Sequence, residues 1–200
     1  MYTPASFAIE DLALLHAFMA RHSFATLVSW TPAPVLSHLP LVLISEPRPH
    51  LLGHLAAANA HGDALVEGGE ALAIFQGPHA YISPGLYENP LAVPTWNYTA
   101  VHAWCTVRRR HDVDALLETT LETFAPVDLQ RWRALPEAYR AEMRRGIVAF
   151  ELCIVRLEGK FKLSQNRPPA DQQRIIDALS NSADADAKGV AALMRQLRIP

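Results

Sequence analysis

Cysteine is scarce, with only Cys105 and Cys153 in 200 residues. They show no Cys-x-x-Cys spacing and fall in separate strand-like stretches, so they read as reduced core residues rather than a disulfide framework or a metal cluster. Long apolar runs are also missing. Leu39 to Ile44 and Ile147 to Val155 are interrupted or fall far short of the ~20 residues a membrane helix needs. No basic segment followed by an apolar one opens the chain, so the expected location is cytoplasmic, with no membrane partner. The net charge of -2 argues against a broadly basic nucleic-acid surface, although Arg108-Arg109-Arg110-His111 and Arg144-Arg145 leave room for a basic patch on an oligomer. GxGxxG and GxxxxGK[ST] are absent, which removes the usual dinucleotide and P-loop signatures. HExxH and GxSxG are absent too. His50 and His54 share a strand face in this reading and His61 approaches them, but carboxylates are sparse nearby. No metal site and no catalytic residue are assigned, and the histidines are expected to act as hydrogen-bonding residues.

What is present is a hydrophobic fraction of 50%, enough to bury a core in one domain spanning residues 1–200. Ile9, Leu12, Leu15, His16 and Met19 recur at helical spacing, with Glu10 and Asp11 in the first turn. Strand formers fill Phe24 to Trp30, Ser37 to Ile44 and Leu51 to Leu55, with a turn at Pro32-Ala33-Pro34 and Pro40 confined to an edge or bulge. A helical turn is expected in Ala56 to Val66. Leu72 to Gln76 and His79 to Ser83 read as a hairpin meeting at Gly77-Pro78. Helices follow at 111–146, the first starting after Asp112 and the second near Asp128, with Pro136 ending it and opening the next at its N1 position. Ile147 to Leu157 returns to strand and turns at Gly159, and two helices close the chain at about 170–198. Strands adjoining without crossover helices favour an antiparallel barrel or sheet with peripheral and C-terminal helices, a mixed β/α class.

Two stretches concentrate polar groups. Thr95 to Val107 alternates, with Trp96, Tyr98, Ala100, His102 and Trp104 on one face and Thr95, Asn97, Thr99, Val101, Ala103 and Cys105 on the other. Such a strand suits a flat, heteroatom-rich ligand or a partner subunit. Lys162-Leu163-Ser164-Gln165-Asn166-Arg167 is read either as a solvated loop or as a recognition element for an anion and a heterocycle edge.

Ser37-His38-Leu39-Pro40, Gly53-His54-Leu55-Ala56, the block Phe75-Gln76-Gly77-Pro78-His79-Ala80-Tyr81-Ile82-Ser83-Pro84, Val93-Pro94-Thr95-Trp96-Asn97-Tyr98 and Lys162 to Arg167 together resemble the PaiB family of FMN-binding negative transcriptional regulators. The resemblance covers nearly the whole chain. It implies an FMN-binding split β-barrel that works as a homodimer with flavin at the subunit interface. Chemically, the FMN phosphate is then expected near Ser37, His38, His54 and Asn59. Its ring is expected near Gln76, Thr95, Trp96 and Asn97, with Lys162, Ser164 and Gln165 closing the site. Ala57 and Ala60 stand where the resemblance leads one to expect a basic residue and a proline, which lowers the expected FMN affinity and leaves another flat ligand such as haem open. Two functions remain at this stage: a regulator, with DNA as a further partner through Arg108 to Arg110, or a small flavin-dependent oxidoreductase in which Tyr81, His79 or His102 lies near the ring.

Overall fold

The computed structural model describes residues 1–30 and 33–197. Pro32 of the expected turn and residue 198 of the last expected helix lie outside them. The strands are β1 (Ala8–Ile9), β2 (Phe24–Trp30), β3 (Pro34–Pro40), β4 (Val42–Ile44), β5 (His50–Ala56), β6 (Glu70–Ile82), β7 (Thr95–Arg109) and β8 (Ile147–Lys162). The helices are α1 (Leu12–Arg21), α2 (His61–Ala64), α3 (Val113–Phe124), α4 (Pro126–Ala134), α5 (Glu137–Arg145), α6 (Pro169–Ser180) and α7 (Ala185–Gln196). The strands form an antiparallel sheet in the order β3-β2-β6-β7-β8-β5-β4, with β1 added along β8. None of the described helices is long and apolar enough to cross a membrane.

Several boundaries differ from the sequence reading for physical reasons. The expected hairpin at Gly77-Pro78 is one continuous strand, β6. Its pairing with β2 ends at Ile74, so Pro78, which has no N–H to donate, sits where the β2 partner is already gone. Gly159 does not turn the chain but lies inside β8, opposite Ile9 of β1. A Cβ there would come within 3.2 Å of the Ile9 carbonyl oxygen and closer still to the end of the Leu15 side chain, so the glycine serves close approach. The expected strand over Ser37 to Ile44 breaks at buried Leu41, whose N–H donates to the Ser23 carbonyl at 2.9 Å. Pro40 ends β3, an edge strand. Glu10 lies outside α1, and Asp11 caps it by accepting from Ala13 N and Leu14 N at 2.9 and 3.2 Å. Asp112 makes no side-chain cap on α3. Pro136 sits at the N-cap of α5 rather than at N1.

The chain divides into two compact units. One comprises His16–Phe75 and His102–Leu157. In it Ala25, Leu27 and Ser29 of β2 point to the same side as Leu39, Ser37 and Val35 of β3, since directly paired antiparallel residues share a face. Leu51, Gly53 and Leu55 of β5 likewise oppose Leu152, Phe150 and Val148 of β8. Leu27, Leu51, Phe75, Phe150 and Leu152 are fully buried. On the other face of β5, Leu52 joins Val42, Ala149 and Leu116 of α3 in a separate apolar cluster. The second unit comprises Met1–Leu15, Gln76–Val101 and the described residues from Glu158 onward. There α6 packs on α7, and Ile175, Ile176, Val190, Ala191, Phe161, Ile82 and Val101 are buried.

Candidate functional site

In the unit built on β2, β3 and β5, the structure gathers a polar network around His61. Ser29 and Ser37 are cross-strand residues on the buried face, and the imidazole bridges them. Nε2 meets the Ser29 Oγ at 3.0 Å and Nδ1 meets the Ser37 Oγ at 2.9 Å. Asn59 fixes the ring's entry: its Oδ1 accepts from His61 N at 2.9 Å, and its Nδ2 donates to the Ser37 Oγ at 3.2 Å. Every group is satisfied when Ser37 accepts from Asn59 and donates to Nδ1, leaving Nε2–H to donate to Ser29. Of the four residues expected at a phosphate, Ser37 and Asn59 therefore come together. His38 lies on the opposite face of β3, exposed, and shares a 3.0 Å hydrogen bond with Thr26. His54 lies on the β5 face of the Leu52 cluster, away from Leu51 and Gly53, opposite Ala149. Ala57 and Ala60 are exposed and add no charge.

Burial holds the imidazoles of His61 and His54 below the ordinary histidine pKa. Protonating His61 also forces Ser37 to accept from both Asn59 and Nδ1. A depressed folded-state pKa contributes stability that is fully present above the unfolded value and lost as pH falls through the folded one. The melting temperature is thus expected to drop as pH is lowered from about 6.5 toward 5. In His61→Gln that slope should shrink without vanishing, because the His54 shift has the same sign. A flat wild-type profile across this window would contradict the assignment.

The other unit brings together the second half of the expected residues, but sorts them onto two faces of β7. Thr95 and Asn97 point inward, where Asn97 is fully buried and its amide donates to the Ser164 Oγ at 2.9 Å. Ser164 holds a φ of 63°, a left-handed conformation uncommon outside glycine and asparagine. Lys162 donates to the Thr95 hydroxyl and, at 2.8 Å, to the Trp96 carbonyl. Burial first, then the nearby Lys160 and Arg167 charges, lowers its pKa from the usual lysine value. Gln165 is committed to its own turn, accepting from Leu163 N at 2.7 Å and donating to the Phe161 carbonyl. Gln76 is exposed at the start of this unit's part of β6.

Trp96 points outward and is 53% exposed. It is flanked by His79, with ring centroids 5.9 Å apart, and by Tyr81, edge-on at 6.0 Å. His79 in turn faces the Asp186 carboxylate at 3.5 Å. The alternation of β7 thus held, but its consequence is that Trp96 and Asn97 serve different surfaces. The role of His61 was missed in the sequence. Its signal was the Asn59-Ala60-His61 spacing, which suits an Asx turn in which a side-chain carbonyl accepts from the backbone two residues on.

In the unit holding β7 the exposed Trp96 indole has the shape to stack on a flat ring, while in the other unit Ser37 and Asn59 are committed to His61 and to each other. The family model described as "Putative FMN-binding domain" matches residues 1–156. The Bacillus subtilis (strain 168) protein named Protease synthase and sporulation protein PAI 2 is 32% identical over 204 residues, covering 97% of this chain and 96% of its own. Among solved structures, the FAD and Heme binding protein from Mycobacterium smegmatis superposes with a TM-score of 0.59 at 15% identity, over 78% of this chain and 73% of its own. The flavocytochrome Anf3 from Azotobacter vinelandii does so with a TM-score of 0.58 at 16% identity, over 78% and 69%. At these identities the structural likeness establishes the fold, a split β-barrel. With the family match covering most of the sequence and 32% identity to the Bacillus subtilis protein along nearly its full length, the chain belongs to the PaiB family of FMN-binding split-barrel proteins.

Proposed function

We propose that this protein is an FMN-binding homodimer acting in the cytoplasm as a PaiB-like negative transcriptional regulator, with its flavin held at the subunit interface. The observation that carries the reading is the exposed Trp96 with Tyr81 edge-on beside it, the latter 51% exposed. Two large rings in edge-on contact, each more than half exposed, offer the flat aromatic surface that a planar ligand or a partner can cover. The likeness to PAI 2 along nearly the full length supports a regulatory role. Bound FMN would supply redox chemistry, and the chain's residues would hold and orient it.

Arg108 to Arg110 do not form a free basic stripe. Arg109 donates to the Gly62 carbonyl at 2.7 Å, and Arg110 pairs with Asp112 and, at 2.6 Å, with Glu151. Arg108 lies 3.9 Å from the same Glu151 carboxylate but keeps 63% of its side chain exposed, which leaves it the one able to turn to a phosphate. A dimer would then offer about two phosphate contacts from this triplet, so the slope of log K against log[salt] for DNA retention owed to it is expected near about -2, not the roughly -5 of six free arginines.

The second reading, a flavin-dependent oxidoreductase, is favoured by His79 and Tyr81, two proton-bearing side chains beside Trp96. Four measurements on one sample separate the readings: FMN titration followed by flavin fluorescence, sedimentation at micromolar concentration, NADH or NADPH oxidation, and retention on genomic DNA fragments across a salt series. The regulator predicts saturable FMN binding, a dimer and sequence-selective DNA retention without turnover. Rapid turnover without DNA retention would leave the oxidoreductase, and a flavin-blind monomer would defeat both.

A further inference from the structure

Within the unit holding β7 and the C-terminal helices lies a cavity of about 170 Å³, lined among others by Phe7, Tyr87, Asn97, Lys162, Ser164 and Arg167. The volume is below the ~300–1,000 Å³ typical of sites for drug-sized ligands, which suits a small group such as a tetrahedral oxyanion with some hydration. The chemistry of the wall is one-signed. The Arg167 guanidinium lies over the Tyr87 ring, 4.3 Å from its centroid, and Lys162 holds the neighbouring side. Buried Lys160 lies close enough to depress Lys162 and is tied to the Tyr2 carbonyl at 2.9 Å. None of the three cations meets a carboxylate among the described residues, whereas Arg174 of α6, also in this unit, is paired with Asp171. The second observation is independent of charge. Tyr87 is only 8% exposed, and its hydroxyl is buried with no hydrogen-bond partner. An unpaired buried donor costs on the order of 1–3 kcal/mol, and a bound acceptor would remove that cost.

We propose that this cavity is an oxyanion site, in which Arg167 and Lys162 neutralise a phosphate-type group and the Tyr87 hydroxyl donates to one of its oxygens. It shares Lys162, Asn97 and Ser164 with the residues assigned to flavin, but needs no flavin to be tested. The anion can be a free small molecule or the phosphate of a larger one, FMN included.

The test is calorimetric titration of flavin-free protein with inorganic phosphate. Saturable binding at one site per chain is expected, weakened roughly 10-fold or more in both Arg167→Gln and Tyr87→Phe, as for loss of a hydrogen bond to a charged group. Phosphate should also protect Arg167 of the wild type from phenylglyoxal, a readout that needs no variant. Displacement of phosphate by FMN but not riboflavin assigns the site to the flavin's own phosphate; displacement by neither assigns it to a separate anion, and either supports the pocket. Absence of saturable binding together with unprotected Arg167, or undiminished binding in both folded variants, overturns it. Because phosphate is titrated without flavin, failure of the flavin reading leaves this result intact, and the reverse holds.

Discussion

Phe150→Ala is expected to cost roughly 3–5 kcal/mol of stability, lowering the melting temperature by roughly 6–20 °C for a chain of this size. Phe150 is fully buried and stands opposite Gly53 across the β5–β8 pair. A Cβ at Gly53 would lie 2.9 Å from the Phe150 ring and 2.7 Å from Leu41. The ring thus fills the space the glycine leaves, and its removal opens a cavity walled by a strand pair that cannot collapse without breaking hydrogen bonds. The same geometry predicts the reverse error: Gly53→Ala overpacks and should cost about 1–3 kcal/mol. Because the two residues touch, their effects must couple. Gly53→Ala introduced into a Phe150→Leu background should cost clearly less than in wild type, measured by urea unfolding. Additive costs would show that the contact does not set the penalty.

This pair also shows what the sequence could and could not disclose. Gly53-His54-Leu55-Ala56 was legible as part of a strand and as a family block, yet nothing local reveals that Gly53 is there to admit a phenylalanine nearly a hundred positions later. The strands β2, β5 and β7 were readable because alternation and β-branched or aromatic content act within a few residues. Gly77-Pro78 and Gly159 read as turns because glycine and proline usually punctuate; here tertiary context overrode that. Pro78 continues β6 where β2 has ended, and Gly159 continues β8 because Ile9 and Leu15 crowd it. The residues expected at the site were legible as types but not as surfaces. Ser37 with His38, and Trp96 with Asn97, are neighbours in sequence and were assigned together, although adjacent strand residues face opposite ways. The Arg108 to Arg110 run was visible as charge, while its partners Asp112, Glu151 and the Gly62 carbonyl were not. Cys105 was well read: it is a free, buried thiol that burial pushes up to about 12, while Cys153 is half-buried.

A Trp96→Ala Lys162→Ala double variant is expected to bind FMN roughly 10²–10⁴-fold more weakly than wild type while remaining folded. The indole offers stacking, and each flat ring stacked on an aromatic side chain is worth about 1–3 kcal/mol. Lys162 offers a charge-assisted hydrogen bond, worth about 1.5–3 kcal/mol. Together these span the stated range, since each 1.4 kcal/mol is tenfold in affinity. Folding should survive because Trp96 is more than half exposed and Lys162 donates only to the Thr95 hydroxyl and one carbonyl. The single variants divide the loss. Trp96→Ala should weaken FMN and riboflavin alike if the indole stacks on the ring, whereas Lys162→Ala should discriminate between them if its charge meets the phosphate. Sedimentation of the same samples adds a separate readout. If Trp96→Ala converts a dimer to monomer at micromolar concentration and adding FMN restores the dimer, the exposed indole serves ligand and partner together. Retention of wild-type FMN affinity in the folded double variant would remove Trp96 and Lys162 from the flavin site, leaving the Ser37, Asn59 and His61 network as the part of the assignment still to be tested.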